Sequence, residues 1–167
     1  MSSYNIFYSH IRNYFKANES GLNILKALYR IMPMITAATY IAVLALLFIS
    51  HDTRLIRAAC YPCAVFVGAS IFRKCCNRPR PYEGPDAIVP LIPKDKEGQS
   101  FPSRHALSAA VIASACIYVY VPLGIIIAVI SVIIAVTRVL AGVHYPSDVI
   151  GGLIIGYGIC AILFIYI

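Results

Sequence analysis

Two histidines and an aspartate stand next to long apolar segments of the 167-residue sequence. His105 begins one apolar segment, and His144 and Asp148 lie between two others. Ionisable side chains are costly near membrane hydrocarbon and usually functional there. A carboxylate beside an imidazole fixes its tautomer and stabilises its cation, so His144 with Asp148 is a candidate nucleophile. His105 could donate a proton to a leaving oxygen, although a packing role is the alternative for any single histidine.

Arginines accumulate around these three residues, namely Arg73, Arg80, Arg104 and Arg138. They would repel one another unless an anion joined them, and the planar guanidinium matches phosphate oxygens. Ser103 directly precedes an apolar segment and is predicted to be the N-cap of a helix, whose free N–H groups favour an anion. These residue types predict a phosphate site, with a structural ion pair as the alternative role of Arg138 and of Asp148.

Composition indicates which elements position these residues. Hydrophobic residues make up 60% of the chain and charged residues 13%, with a mean hydropathy of +0.78. A soluble domain of this size could not bury so much apolar surface, and the same figures exclude disorder. A bilayer span needs about 20 helical residues, and five apolar segments approach that length: 34–50, 55–72, 105–121, 123–141 and 149–167. We therefore expect an all-α integral membrane bundle with about five transmembrane helices.

The chain is predicted to divide into two parts. Residues 1–33 mix aromatic and aliphatic side chains with basic ones, a pattern typical of amphipathic helices at a membrane interface. A solvated helical arm is the alternative for this segment. Residues 34–167 would form the transmembrane domain, and its most hydrophilic stretch, residues 73–104, contains six prolines and is predicted to be a structured loop.

Five alternating spans would bring distant parts of the sequence to one membrane face. The end of the second span, the start of the third, the end of the fourth and the start of the fifth share that face. It would receive the candidate residues His105, His144, Asp148 and the four arginines, together with Lys74 and Arg78, whereas Arg54 and Arg57 would lie on the opposite face.

Three motifs occur in this order between the spans: Arg73, six residues, Arg80-Pro81; Pro102-Ser103-Arg104-His105; and Thr137-Arg138, five residues, His144, three residues, Asp148. Their order and spacing resemble those of the type 2 phosphatidic acid phosphatase superfamily, from about residue 60 to the C-terminus. The family pattern has Lys at position 73, Gly at 104 and Ser at 137. The arginine at 73 keeps the charge, and Arg104 adds a side chain that could bind a second phosphate or point into solvent.

The resemblance implies a role for each residue. His144 would attack the phosphorus and carry the phosphoryl group, Asp148 would orient it, and His105 would protonate the departing lipid oxygen. The phosphoryl oxygens would be held by Arg73, Arg80, Arg138, Ser103 and the N–H of Arg104. No metal and no cofactor is expected, because fixed cations supply the electrostatic stabilisation.

The resulting prediction is a membrane phosphatase that hydrolyses a lipid phosphate or diphosphate. Candidate substrates are polyprenyl diphosphate, phosphatidate, phosphatidylglycerol phosphate and a lipid A phosphate. Two alternatives remain: a lipid phosphotransferase using the same histidine, and a non-catalytic lipid-binding membrane protein. A soluble haloperoxidase of the same superfamily is disfavoured by the apolar spans. The expected partners are membrane and lipid phosphate without nucleic acid, and the sequence specifies no oligomeric state.

Two arguments about membrane orientation disagree. If residues 1–33 lie on the active face, 12 of the 14 basic residues lie there, because only Arg54 and Arg57 are left out. The positive-inside rule would then place this face in the cytoplasm. The resemblance favours the extracytoplasmic face, and several of the cations are functional candidates, which weakens the charge rule. We therefore predict a multi-pass cell-membrane protein with an extracytoplasmic active site.

Overall fold

The computed structural model describes residues 3–85 and 87–166, and all regular secondary structure within these ranges is helical. Six helices follow one another along the chain: α1 (Ser3–Ala17), α2 (Glu19–Ile49), α3 (Arg54–Cys76), α4 (Arg104–Val119), α5 (Val121–Leu140) and α6 (Pro146–Tyr166). The predicted all-α membrane fold is confirmed.

Four of these helices are long and apolar enough to cross a bilayer. They are α2, α3, α5 and α6, with 31, 23, 20 and 21 residues. Helix α4 is apolar but has 16 residues, fewer than the about 20 that a span needs. The five predicted spans therefore correspond to four full-length candidates and one shorter helix. Because α4 packs against α2, α3, α5 and α6, it occupies the centre of the bundle.

Small residues allow α4 to take this central position. Five of its eight buried residues are alanines, and glycines of the neighbouring helices face its backbone. A Cβ at Gly156 of α6 would lie 2.7 Å from the Ala110 Cβ and 3.0 Å from the Leu107 carbonyl oxygen. Such spacing lets two helices approach closely, so dispersion contacts replace the hydrophobic driving force that lipid cannot supply.

Helix α1 packs against the loops at one end of the bundle. The buried Tyr8 hydroxyl accepts a hydrogen bond from the Leu91 N–H at 3.0 Å and donates to the Leu140 carbonyl at 3.3 Å. The Tyr4 ring lies 4.9 Å from the Tyr145 ring. Apolar side chains on the other face of α1 are at least half exposed: Ile6, Phe7 and Tyr14. One face of α1 therefore packs on the loops and the other exposes apolar side chains, in keeping with the predicted amphipathic helix.

Helix α2 begins well before the first predicted span. Asn18 is its N-cap and accepts a hydrogen bond from the Gly21 N–H at 2.8 Å. The helix then continues through Pro33 to Ile49, so residues 34–50 are the C-terminal part of a longer element and residue 33 lies inside it. A proline removes one backbone donor and leaves the carbonyl four residues earlier unpaired, here that of Tyr29. Membrane helices tolerate this where neighbouring groups satisfy the freed carbonyl.

The contact between α4 and α6 generates a stability prediction. We expect Gly156→Ala to lower the thermal unfolding temperature in detergent, because overpacking a tight contact costs about 1–3 kcal/mol. Gly158 lies on the same helix with no atom within 4 Å of an added Cβ. Gly158→Ala should therefore leave the unfolding temperature unchanged or raise it slightly. Equal unfolding temperatures for the two variants would contradict the close approach of α4 and α6.

Candidate active site

Backbone contacts join the loops at one end of the bundle. The Ser103 N–H donates to the Asp148 carbonyl at 2.9 Å, which links the start of α4 to the start of α6. The Ser100 N–H donates to the Arg78 carbonyl at 2.8 Å, which links the residues before α4 to those after α3. The Leu91 N–H reaches the Ala141 carbonyl at 3.1 Å. These contacts bring the three sequence motifs together.

His144 and Asp148 form a buried pair between α5 and α6. Their side chains are 4% and 0% exposed, and Nδ1 of His144 lies 3.4 Å from Oδ2 of Asp148. Within the described residues His144 is contacted through Nδ1, which leaves Nε2 available. The carboxylate therefore orients the imidazole with Nε2 directed away from it, the arrangement that a histidine nucleophile requires.

Further donors fix the Asp148 carboxylate in place. Its Oδ2 accepts hydrogen bonds from the Ser100 hydroxyl and from the Tyr145 N–H, the latter at 2.9 Å. Its Oδ1 forms an ion pair with Arg78 at 2.8 Å, and the Arg78 guanidinium stacks over the Tyr145 ring at 4.6 Å. Motif spacing did not identify Ser100 or Arg78. Arg78 was visible only as one cation of the predicted face, and no sequence signal distinguishes Ser100.

The surroundings of His144 favour its neutral form. Burial lowers the pKa of His144 to about 4, the positive charges of Arg80 and Arg73 act in the same direction, and the hydrogen bond with Asp148 opposes them. Protonation of the imidazole therefore becomes appreciable only in acid. At neutral pH the imidazole lone pair is free, which a nucleophile needs.

Arg73 and Arg80 are buried beside this pair and held by backbone carbonyls. Arg73 donates to the Pro102 carbonyl. Arg80 donates to the Gly98 carbonyl at 3.0 Å and to the Val143 carbonyl at 3.2 Å. Carbonyl oxygens orient a guanidinium but leave its charge uncompensated, so both groups keep a net attraction for an anion.

The cations are close enough to act on one another. The pKa of Lys96 is lowered first by partial burial and then by the positive charges of Arg104, Arg73 and Arg80. Arg104 itself is exposed at the start of α4, in keeping with a side chain that extends beyond the buried pair. No group of three His, Cys, Asp or Glu side chains is arranged for a metal ion in residues 3–85 and 87–166.

Four buried side-chain atoms have no hydrogen-bond partner among the described residues: the hydroxyl oxygens of Tyr4, Tyr29 and Ser103, and Nε of Arg138. The last two belong to predicted site residues. Ser103 occupies the predicted N-cap position of α4, but its side chain makes no capping hydrogen bond. Ser103 is therefore the N-cap residue, as predicted, but its hydroxyl does not accept a hydrogen bond from a backbone N–H of the first turn. An unsatisfied buried polar group is costly and rare, and a bound ligand is one explanation for it.

Arg138 and His105 line one cavity of about 740 Å³ between α2, α4 and residues 91–94. Another nitrogen of Arg138 donates to the Tyr29 carbonyl at 3.1 Å, and the guanidinium stacks on the Tyr29 ring at 3.7 Å. His105 is partly buried and lies within electrostatic range of both Arg138 and His144. All eight predicted site residues thus lie at the same end of the bundle, with Tyr29 as an unpredicted contact.

This fold and site define an integral membrane helical bundle whose loop end concentrates cations around a histidine–carboxylate pair, the class of the membrane phosphatases. The chain belongs to the PAP2 superfamily, whose family model matches residues 55–167, and it is accordingly a lipid phosphate phosphatase. The resemblance inferred from the motifs is therefore confirmed.

Solved structures share the fold, and two of them illustrate the similarity. LpxE of Aquifex aeolicus superposes with a TM-score of 0.70 at 23% identity, over 86% of this chain and 87% of that one. The first transmembrane PAP2 type phosphatidylglycerolphosphate phosphatase from Bacillus subtilis has a TM-score of 0.59 at 21% identity, over 96% of this chain and 92% of that one. The comparison with curated proteins finds no match.

The anchoring of Asp148 leads to a prediction about Ser100. Ser100→Ala removes a hydrogen bond to a charged acceptor, worth about 1.5–3 kcal/mol, and we expect kcat/KM for phosphate release to fall roughly 10–100-fold. Ser114→Ala is the matched control, because Ser114 bonds within α4 to the Ala110 carbonyl. Equal activity of the Ser100 variant and the control would show that the hydroxyl does not position the carboxylate.

Proposed function

We propose that this protein hydrolyses the phosphate or diphosphate of a membrane lipid through a phosphohistidine formed on His144. The observation that carries the proposal is the pair of unpartnered buried atoms, the Ser103 hydroxyl oxygen and Nε of Arg138. A phosphoryl group has oxygens that accept from both, and its negative charge compensates the buried arginines.

In the first step, Nε2 of neutral His144 attacks the phosphorus and a P–N bond forms. The bond from phosphorus to the lipid oxygen breaks, and protonated His105 transfers its proton to that oxygen. Burial and the charge of Arg138 disfavour the imidazolium before the substrate binds, and the negative charge of the bound phosphoryl group favours it, so His105 takes up this proton when the substrate binds. Asp148 stabilises the positive charge that develops on the imidazole. Arg73, Arg80 and Arg138 stabilise the equatorial oxygens, where the transition state carries its negative charge.

In the second step, water attacks the phosphorus of the phosphohistidine. His105, now neutral, accepts the proton of the water, and the P–N bond breaks to release phosphate and free His144. If a lipid hydroxyl attacks instead of water, the same intermediate yields a phosphorylated lipid. Measuring free phosphate against phosphorylated lipid from one labelled donor separates hydrolysis from transfer.

Replacing either histidine should abolish the reaction. We expect His105→Ala to reduce phosphate release by about 10²–10⁴-fold, the usual contribution of a general acid, and His144→Ala to reduce it to background. His51→Ala is the control, since His51 is exposed between α2 and α3. Release should be measured from phosphatidate and phosphatidylglycerol phosphate in detergent, with insertion of each variant verified. Turnover like that of the wild type in either active-site variant would contradict the proposal.

We also propose that the active site faces the extracytoplasmic side of the cell membrane. Cys75 and Cys76 are exposed at the end of α3, next to the loops of the site. A membrane-impermeant maleimide should therefore label them in intact cells, and a variant with serine at both positions defines the background. Labelling that requires permeabilised cells would place the site in the cytoplasm.

A further inference from the structure

Two proline residues, Pro33 and Pro62, lie inside helices. Each leaves a backbone carbonyl without its helical donor, and a side chain from another helix donates a hydrogen bond to that carbonyl. In α3, Pro62 leaves the Ala58 carbonyl without its helical donor, and the Tyr40 hydroxyl donates to it at 2.8 Å. In α2, Pro33 leaves the Tyr29 carbonyl without its helical donor, and Arg138 donates to it at 3.1 Å. Both prolines thus create acceptors for specific tertiary contacts.

The contact in α2 holds a candidate phosphate ligand from two directions. The Tyr29 carbonyl accepts a hydrogen bond from one terminal nitrogen of Arg138, and the centroid of the Tyr29 ring lies 3.7 Å from the guanidinium carbon. The remaining buried Nε has no partner among the described residues. The Tyr29 carbonyl holds one edge of the Arg138 guanidinium and the Tyr29 ring holds one face, so few side-chain rotamers remain. The edge that carries Nε is therefore preorganised for a ligand.

We propose that Tyr29 and Pro33 are positioning residues that hold Arg138 for the phosphoryl group. They precede the family-matched range of residues 55–167, so α2 adds to the site an element that the shared motifs do not contain. Pro33 acts by withholding a backbone donor from the Tyr29 carbonyl, and Tyr29 acts through its carbonyl and the face of its ring. The inference rests on the proposed phosphate site.

The Pro33→Ala variant distinguishes a role of Pro33 in positioning Arg138 from a role in stabilising the fold. The substitution restores a helical donor that competes for the Tyr29 carbonyl, and alanine favours a helix far more than proline does. We expect an unchanged or higher unfolding temperature together with a roughly tenfold higher inhibition constant for inorganic phosphate, because a hydrogen bond from a charged donor is weakened. Pro62→Ala is the matched control and should leave the inhibition constant unchanged.

A pair of substitutions at Tyr29 tests the ring. Tyr29→Phe keeps the aromatic face and the carbonyl, so phosphate inhibition should match that of the wild type. Tyr29→Ala removes the face and should raise the inhibition constant roughly two- to tenfold. A Pro33→Ala protein with wild-type phosphate inhibition, or a Phe variant as impaired as the Ala variant, would overturn the inference alone. If inorganic phosphate does not inhibit the wild type, the proposed phosphate site falls and this inference with it.

A separate observation concerns the charge of the 740 Å³ cavity. Beyond Arg138 and His105 it is lined by Lys26 and Arg30 of α2 and by Lys94 across from them, and no acidic residue in ranges 3–85 and 87–166 lines it. Lys26 and Arg30 are four residues apart, a spacing at which like charges destabilise a helix. Such a cost is recovered when an anion binds between the charges.

The same cavity continues onto an apolar surface. Ile31 and Met34 of α2 line it and are 46% and 64% exposed, which suits acyl chains that lie against the helix. We infer that Lys26, Arg30 and Lys94 bind a second anionic group of the lipid, joined to the scissile phosphate by a short spacer. This inference deepens the proposed function, because it selects substrates with two anionic groups over phosphatidate.

Binding to the His144→Ala protein tests the second-anion site without turnover. In neutral detergent, short-chain phosphatidylglycerol phosphate should bind roughly tenfold more tightly than short-chain phosphatidate. Substituting glutamine for Lys26, Arg30 and Lys94 together should remove this preference. The control carries Lys16→Gln and Lys74→Gln, two exposed lysines outside the cavity lining, and should retain it.

These binding measurements distinguish failure of the second-anion site from failure of the proposed lipid-phosphate site. Equal binding of both lipids by the His144→Ala protein, or a preference that survives the triple substitution, would overturn the second-anion site. If that preference disappears equally in the control, the effect is nonspecific surface charge and the inference is also wrong. If neither lipid binds, the proposed lipid-phosphate site itself is contradicted.

Discussion

Buried positive charge that exceeds buried negative charge is the constraint on which this end of the bundle depends. Arg73, Arg80 and Arg138 are at most 3% exposed. Among the described residues the buried carboxylate is that of Asp148, which His144 and Arg78 already share. Backbone carbonyls accept hydrogen bonds from the arginines without neutralising them, and a buried charge without a counter-ion is costly. A phosphoryl group supplies the missing charge, so substrate binding completes the electrostatics of the fold.

The bundle can hold this unfavourable arrangement because its helices are closely packed. Helix α4 is central and rich in alanine, and a glycine of α6 lets it approach the neighbouring backbone. The start of α4 is tied to the start of α6 by the bond from Ser103 to Asp148. His105 lies at the start of α4, and the His144–Asp148 pair spans the start of α6. Backbone contact sets the relative position of these two helices, which favours precise geometry in a catalytic site.

The shared motifs predicted the principal residues because the alternation of spans fixes which loops meet. The same reasoning placed the arginines and both histidines at one end of the bundle. Spacing alone could not identify Ser100, because serine is common in loops and its role depends on where the carboxylate comes to lie. It also gave no indication of Tyr29, because the first span was predicted to begin at residue 34, where the apolar run starts, whereas the helix begins at Glu19. The contact of Tyr29 with Arg138 spans more than 100 residues and depends on how α2 packs against α5.

Covalent transfer of the phosphoryl group to His144 is the central claim, and rapid-quench labelling tests it most directly. Purified protein would be mixed with lipid carrying ³²P in its terminal phosphate, quenched in alkali within milliseconds, and digested. The account predicts an alkali-stable, acid-labile label on the peptide that contains His144, formed before phosphate is released and absent from the His144→Ala protein. Phosphate release without labelled protein, or a label on another residue, would contradict it.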